Sequence, residues 1–162
     1  MSAYEIKQFI NRSVSFFWTE SEAQLYPTLK NLSAKNYVTH QEERAAKAGT
    51  KKVYTITKFG RDVLAQWLKN KTERAVYRNE LLLKVFFGSN QSVQENIALI
   101  ESAKSESEAV YKMLLSIKDN LQCKKITKKR QVYVGLSLDY GISSLKAEIA
   151  WCKSSLKKLQ AL

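Results

Sequence analysis

The last quarter of the chain carries an unbroken heptad repeat, and this pattern constrains the fold more than any other. Its apolar residues alternate at steps of four and three, which is the spacing of a seam along which α-helices pack. The seam consists of Leu138, Ile142, Leu145, Ile149, Cys152, Leu156 and Leu159. With one proline and five glycines in 162 residues, the chain has few residues that interrupt helices. We therefore predict a mainly α-helical protein that ends in one long helix.

A second apolar line follows another flank of this last helix. It consists of Tyr133, Tyr140, Ala147 and Trp151. Two apolar faces on one helix need two partners. One partner is the long helix predicted from Ser92 to about Leu121. The other is most simply a second subunit, because two-fold homodimers dominate soluble oligomers. We assign the heptad seam to dimerisation, with an intramolecular three-helix bundle as the alternative. The aromatic residues of the second line, Tyr133, Tyr140 and Trp151, are candidate contacts for a flat aromatic ligand, and plain packing is their alternative.

Two short helices are predicted at the start of the chain. Ser2 and Glu5 have the spacing of a capping box, and the helix that follows them ends near Val14. A second helix opens near Thr19 and buries one stripe of leucines. The stripe is Leu25, Leu29 and Leu32. The three aromatic residues at positions 16–18 are expected to fill the angle between the two helices.

A β-hairpin and a third helix are predicted next. Residues 37–44 and 51–57 have the β-branched and aromatic content of strands, and Thr57 caps a helix with apolar residues at helical spacing. The hairpin's basic residues are Arg44, Lys47, Lys51 and Lys52. They are placed to reach a phosphate backbone, and protection of a strand edge by charge is the alternative. Helix, turn, helix, hairpin and helix form the order of a winged helix-turn-helix.

A polar stretch at residues 71–77 marks a domain boundary. We predict a winged helix-turn-helix domain at residues 1–70 and a C-terminal helical, coiled-coil-like dimerisation domain at residues 78–162. The second domain opens with a short helix that Gly88 is expected to end as a C-terminal glycine cap.

The second helix turns a slim, hydrogen-bonding face away from its leucines. That face carries Thr19, Glu20, Ala23, Gln24, Pro27, Lys30 and Asn31, with Tyr26 on its flank. Such a surface suits the major groove of DNA, although a solvated helix face is the alternative. The net charge of +12 favours an anionic partner. Because both halves of the chain share the excess, charge does not locate the contact.

Four stretches of the chain resemble the PadR-like family of transcriptional regulators. They are SAYEIKQFINRSVSFFW, EAQLYPTLKNL, KKVYTITKFGRDVLAQWL and RNELLLKVFFG. Together with Trp151 in the helical tail, the resemblance covers nearly the whole chain. It implies an N-terminal winged helix-turn-helix that binds double-stranded operator DNA and C-terminal helices that form a homodimer. It also implies a small aromatic inducer as a candidate ligand.

The resemblance also implies DNA contacts from the first helix, the second helix and the wing. These residues are Tyr4, Lys7, Ser21, Gln24, Tyr26, Lys30, Lys51 and Lys52. Gln24 is the expected base reader, because an amide can form two hydrogen bonds with an adenine edge. Lys30, Lys51 and Lys52 are expected to contact phosphates. Family members usually carry a further apolar helix before the segment at which this chain begins. If Met1 is the true start, that part of the core is expected to be missing; a misassigned start is the alternative.

Other classes of function find little support in the sequence. There is no run of about 18 apolar residues and no signal-peptide pattern, so we expect a cytoplasmic protein without a membrane partner. Cys123 and Cys152 have no metal or redox spacing, and His40 is the only histidine. We expect neither a cofactor nor catalysis. The expected function is that of a homodimeric DNA-binding repressor released by a small aromatic ligand. The alternative is a dimeric ligand-sensing or protein-interaction module that has lost operator binding.

Overall fold

The computed structural model describes residues 1–18, 21–44, 49–73, 78–121 and 126–162. The chain forms two compact units, Met1–Ala75 and Val76–Leu162. The first unit contains α1 (Ala3–Ser13), α2 (Glu22–Ala34), β1 (Val38–Arg44), β2 (Thr50–Ile56) and α3 (Lys58–Trp67). The second contains α4 (Glu80–Phe86), a 3-10 turn (Gly88–Asn90), α5 (Val93–Asp119) and α6 (Lys128–Leu159). None of the described helices is long and apolar enough to cross a membrane.

The helix α1 begins with the capping box that the sequence predicts. The Glu5 backbone N–H donates to Ser2 Oγ, and the Ser2 backbone N–H donates to Glu5 Oε2 at 2.8 Å. The start of α2 was predicted wrongly. It begins at Glu22, because Ser21 has the extended backbone of an N-cap residue. Thr19, the residue expected in that role, lies outside the described residues.

The aromatic residues after α1 do not fill the angle between α1 and α2. Phe17 and Trp18 are 51% and 55% exposed, and Phe16 is half-buried with its ring edge against Phe17. The backbone N–H groups of Phe17 and Trp18 both donate to the carbonyl of Val14. Trp18 lies beside a groove that α1 and α2 both line, so it borders the space between the two helices without filling it, and the expected close packing is wrong for Phe17 and Trp18.

The hairpin is antiparallel, with Val38 opposite Ile56 at its base and Arg44 opposite Thr50 toward its tip. It follows α2 through Asn36, which has a φ of 56° in the left-handed region. Thr57 then caps α3 as predicted, because its Oγ1 accepts from the Gly60 N–H at 2.8 Å. The same hydroxyl donates to the Asn36 carbonyl and ties α3 to the end of α2.

An apolar groove of about 500 Å³ remains open in the first unit. It is lined by Met1, Ile6, Ile10, Trp18, Leu25, Thr28, Leu29, Leu32, Val38, Tyr54 and Ile56. Within the leucine stripe Leu29 is buried, whereas Leu25 and Leu32 are half-buried. The apolar positions of α3 are also largely exposed, notably Phe59 and Trp67. The first unit therefore leaves much apolar surface uncovered.

The second unit is centred on α5 and α6, which run antiparallel. Lys118 near the end of α5 pairs with Asp139, and Glu108 nearer its start pairs with Lys153 further along α6. The side chains with the least exposure are Ile100, Leu114, Leu138 and Cys152. Two of them lie on α5 and two on α6, so the core of this unit is the face that the two helices share.

The structure corrects the assignment of the heptad seam to dimerisation. Leu138, Ile142, Cys152 and Leu156 are buried, and Leu145, Ile149 and Leu159 are half-buried. Cys152 and Leu156 form a cluster with Ile100 of α5 in the same chain. Because the seam is already packed within the chain, it is not a free surface for a second subunit.

Gly88 does not end α4 as a left-handed glycine cap. Among the described glycines only Gly49 has a positive φ, whereas Gly88 begins the 3-10 turn. A Cβ at Gly88 would lie 2.6 Å from Asn96 Oδ1. The Asn96 amide donates to the Gly88 carbonyl at 2.8 Å. The glycine is therefore explained by the close approach of this side chain rather than by its φ angle.

Candidate nucleic-acid interface

The outward face of α2 is exposed at every position whose side chain is described. Gln24, Pro27, Lys30 and Asn31 are exposed together with Tyr26. Tyr26 and Lys30 are four residues apart and share one side of the helix. Ser21 stands exposed at its N-terminus as the N-cap. The helix thus presents amide, hydroxyl and ammonium groups without a partner element over them.

A second surface lies beside this face, where the start of α1 meets β2. An open groove of about 530 Å³ is lined by Ser2, Ala3, Tyr4, Glu5, Tyr26, Thr50, Lys51, Lys52 and Tyr54. The groove brings together four residues that the sequence proposed as DNA contacts on three different elements: Tyr4, Tyr26, Lys51 and Lys52. It joins the side of α2 to the wing.

The other proposed contacts lie elsewhere in the first unit. Ser21, Gln24 and Lys30 are on α2 but do not line the groove, and Lys7 is half-buried on α1. At the tip of the hairpin, Arg44 is exposed and Lys47 lies outside the described residues, as do Thr19 and Glu20. The candidate surface therefore has two parts, the outward face of α2 and the groove between α1 and the wing.

Charged groups at the groove are paired in a way that the sequence did not reveal. Lys51 Nζ lies 3.4 Å from Glu5 Oε1 and 3.8 Å from Glu43 Oε2. The hydrogen bond from the Ser2 backbone N–H lowers the pKa of Glu5, and Lys51 lowers it further. In the sequence, Glu5 has only the signature of a helix cap. No local pattern could have linked it to a lysine 46 residues further on.

Lys52 differs from Lys51 in its surroundings. It is exposed, and within the described part of the chain it makes no ion pair. Glu42 is its cross-strand neighbour in the register. Because adjacent strand residues point to opposite faces of the sheet, the side chains of Lys51 and Lys52 have different neighbours.

The candidate ligand contacts on α6 are not brought together within one chain. Tyr133 and Tyr140 are 62% and 71% exposed, whereas Trp151 packs against the buried cluster of Ile100, Cys152 and Leu156. At a rise of 1.5 Å per residue, Tyr133 and Trp151 lie roughly 27 Å apart along the helix. One small aromatic molecule cannot contact both of them in a single subunit.

The described residues offer no metal site, since no three His, Cys, Asp or Glu side chains among them are grouped to bind one ion. Cys152 is a buried free thiol. Burial raises its pKa, which is the behaviour of a packing residue rather than of a reactive thiolate. Cys123 lies outside the described residues.

Comparison with known families accounts for both units. Residues 1–66 match the family described as transcriptional regulator PadR-like, and residues 77–160 match the domain described as virulence activator alpha C-term. The chain is thus similar to the PadR-like family of transcriptional regulators in its first unit and to the virulence activator family in its second. The resemblance carried by the four sequence stretches is thereby confirmed.

Individual relatives agree with this assignment. The negative transcriptional regulator PadR of Bacillus subtilis is 28% identical over 110 residues, which are 67% of this chain and 60% of that protein. The match thus spans less than two thirds of that relative's length. The crystal structure of the same regulator with operator DNA has a TM-score of 0.82 and 25% identity, covering 98% of this chain and 91% of that one. Another structure of it contains p-coumaric acid, with a TM-score of 0.76, 24% identity and coverage of 99% and 90%.

A PadR-like regulator from Bacillus cereus gives a similar result, with a TM-score of 0.81 and 26% identity over 99% of this chain and 90% of that one. The predicted fold class, mainly helical with a small hairpin and a helical C-terminal part, is confirmed by the structure and by these neighbours.

Proposed function

We propose that this protein is a DNA-binding transcriptional repressor that acts as a homodimer on operator DNA in the cytoplasm. The observation that carries the proposal is the exposed face of α2 beside the groove between α1 and the wing. The likeness of the whole chain to the Bacillus subtilis regulator, which was solved with operator DNA, supports it. In this proposal residues 1–70 bind DNA, residues 78–162 form the dimer, and the protein performs no catalysis.

Each part of the candidate surface has its own role in this proposal. Gln24 reads base edges in the major groove, because its amide both donates and accepts hydrogen bonds. Lys30 holds the phosphate backbone, as do the hydroxyl groups of Tyr4 and Tyr26 at the groove. Tyr4 is exposed, and its hydroxyl accepts a hydrogen bond from Gln8 Nε2 at 3.1 Å within the same helix.

The homodimer is proposed to form through the side of α6 that faces away from α5. An apolar stripe of Val132, Tyr133, Leu136 and Tyr140 is exposed there. It lies about half a turn away from the heptad seam, which is covered by α5 within the chain. Exposed apolar stripes of this kind mark interaction surfaces. Two-fold pairing of identical stripes satisfies both subunits at once.

Operator binding is tested by fluorescence anisotropy of the full chain with a labelled duplex from upstream of its own gene. A scrambled duplex of equal length is the control. The upstream duplex should bind more tightly, and affinity should fall steeply as salt rises from about 50 to about 200 mM. A footprint should show two half-sites about one helical turn apart, as a symmetric dimer requires. Equal weak binding to both duplexes at every salt concentration would instead favour the protein-interaction alternative.

Release by a small aromatic acid is a second part of the proposal, and its support is the complex of the Bacillus subtilis regulator with p-coumaric acid. The test adds p-coumarate, or cyclohexanecarboxylate as a non-aromatic control, to the preformed DNA complex. Selective dissociation by p-coumarate is expected. If both acids leave the anisotropy unchanged, this ligand is not an inducer of the protein.

A further inference from the structure

The start of the chain is attached to the wing by backbone pairing. The Met1 amino group donates to the Tyr54 carbonyl at 2.9 Å, and the Tyr54 N–H donates to the Met1 carbonyl at 2.8 Å. Ser2 forms an isolated antiparallel bridge with Val53. The first two residues therefore lie along β2 as a short additional strand, and α1 begins directly after them.

Glu5 adds a side-chain link at the same place. One carboxylate oxygen is held by the Ser2 N–H at 2.8 Å, and the other lies 3.4 Å from Lys51 Nζ. One residue thus caps α1 and reaches β2. The bond from the Ser2 N–H fixes the Glu5 carboxylate at the start of α1. Lys51 therefore pairs with a carboxylate whose position is defined.

The charge balance around Lys51 differs from that of a phosphate contact. Glu5 and Glu43 both lie within 4 Å of its ammonium group, so two carboxylates surround one cation. A lysine whose charge is already balanced by two carboxylates displaces few of the counterions that are condensed on DNA. Lys52 has no such partner among the described residues, and it is exposed on the same strand.

We propose that Lys51 is a positioning residue that ties the wing to α1 through Glu5, and that Lys52 is the wing cation that binds a DNA phosphate. The division differs from the sequence-based expectation that both lysines contact phosphates. It rests on the proposed DNA-binding function. The tie holds β2 at the edge of the groove whose other side carries Tyr26 of α2, so it sets the spacing between the wing and the recognition face.

The DNA-dependent test compares Lys51→Gln with its neighbour Lys52→Gln, which removes the same charge. In anisotropy titrations across salt concentrations, Lys52→Gln should lower the slope of log K against log salt by about 1, as loss of one phosphate contact does. Lys51→Gln and Glu5→Gln should leave the slope within error and weaken binding by less than about fivefold, the scale of an exposed ion pair. Lys51→Arg, which keeps the charge, should restore wild-type affinity.

The coupling between the two residues is tested by the double variant. If Glu5 acts through Lys51, Glu5→Gln combined with Lys51→Gln should bind DNA no more weakly than the weaker single variant. A slope lowered by about 1 in Lys51→Gln, or an unchanged slope in Lys52→Gln, would overturn the division of roles.

A second readout does not depend on DNA and separates this inference from the proposed function. Amide hydrogen exchange reports the Tyr54 N–H, which donates to Met1 at the junction of α1 and β2. Glu5→Gln and Lys51→Gln should both accelerate this exchange, and Lys52→Gln should not. Unchanged exchange in the first two variants overturns the tie even if DNA binds as proposed. Absence of salt-dependent DNA binding by the wild-type chain refutes the repressor function and leaves the exchange test valid.

Discussion

Gly60 lies where the backbone of Tyr37 leaves no room for a side chain. A Cβ there would lie 2.9 Å from the Tyr37 carbonyl carbon and even closer to its oxygen. Gly60→Ala must therefore push α3 away from the base of the hairpin. We expect the free energy of unfolding to fall by about 1–3 kcal/mol, as overpacking usually costs.

Gly135→Ala in α6 is the matched control for this change. Its new Cβ would make an ordinary contact of 3.9 Å with Leu121 Cδ2. Because alanine is a better helix former than glycine, the free energy of unfolding of this variant should rise by roughly 0.5–1 kcal/mol. Urea unfolding followed by circular dichroism compares the two. Equal stability of Gly60→Ala and the wild-type chain would show that α3 can shift without cost.

Gln24 is the residue whose removal should change sequence preference rather than overall affinity. Its side chain is exposed on the outward face of α2 and carries no charge. Gln24→Ala should lose about 1–3 kcal/mol of discrimination at one base pair and leave the salt slope unchanged. The measurement is anisotropy against duplexes that each carry one base-pair change. Gln66→Ala, at an exposed position on α3, is the control. A uniform loss on every duplex would exclude Gln24 as a base reader.

At the level of elements, helix starts connect stability to pH. Glu5 and Glu95 belong to capping boxes, and Glu80 pairs with Lys84. Hydrogen bonds from Ser2, Ser92 and Lys84 respectively are the main causes that lower the pKa of each carboxyl group from 4.5. A carboxyl group with a lowered folded-state pKa stabilises the fold above its unfolded-state pKa. That contribution is lost as the pH falls through the folded-state value.

The fold should therefore be most stable at neutral pH and lose stability as the pH falls below about 4.5. Glu95→Gln should lower the free energy of unfolding at neutral pH. It should also lose less of that free energy on acidification than the wild-type chain does. Glu101→Gln, at an exposed position further along α5, is the control. Urea unfolding at about pH 7 and about pH 3.5 gives the comparison. An identical acid-induced loss in Glu95→Gln and the wild-type chain would show that this cap does not contribute.

The sequence predicted those features of the elements that depend on neighbours along the chain. Both the capping box at Ser2 and the cap at Thr57 were recognised, since each needs only residues three positions apart. The first residue of α2 and the turn at Phe17 and Trp18 are local features that the sequence pattern nevertheless missed. Other missed features depend on contacts between residues further apart in the chain. Gly88 looked like a helix end, but the side chain of Asn96 explains it. The pairing of Glu5 with Lys51 has no local signal at all.

For the molecule as a whole, the sequence leaves open which apolar face of α6 packs within the chain. The heptad seam and the exposed stripe are both apolar and both keep helical spacing, so periodicity alone could not assign them. Packing against α5 settles the first face, since Leu138 and Cys152 are nearly inaccessible. The exposure of the outward face of α2 could be predicted, because α2 has only one apolar face; its contacts with DNA stay a prediction.

One acidic residue on the exposed stripe of α6 should separate the two subunits. Leu136→Asp places a charge among the apolar residues Val132, Tyr133 and Tyr140, where a pairing subunit would have to desolvate it. Ser137→Asp adds the same charge at the adjacent exposed position, which points about 100° away around the helix. Sedimentation equilibrium should find a dimer for the wild-type chain and Ser137→Asp, and a monomer for Leu136→Asp. The monomer should also lose most of its operator affinity, because each half-site is then bound alone. A Leu136→Asp variant that stays dimeric would move the interface to another surface of the second unit.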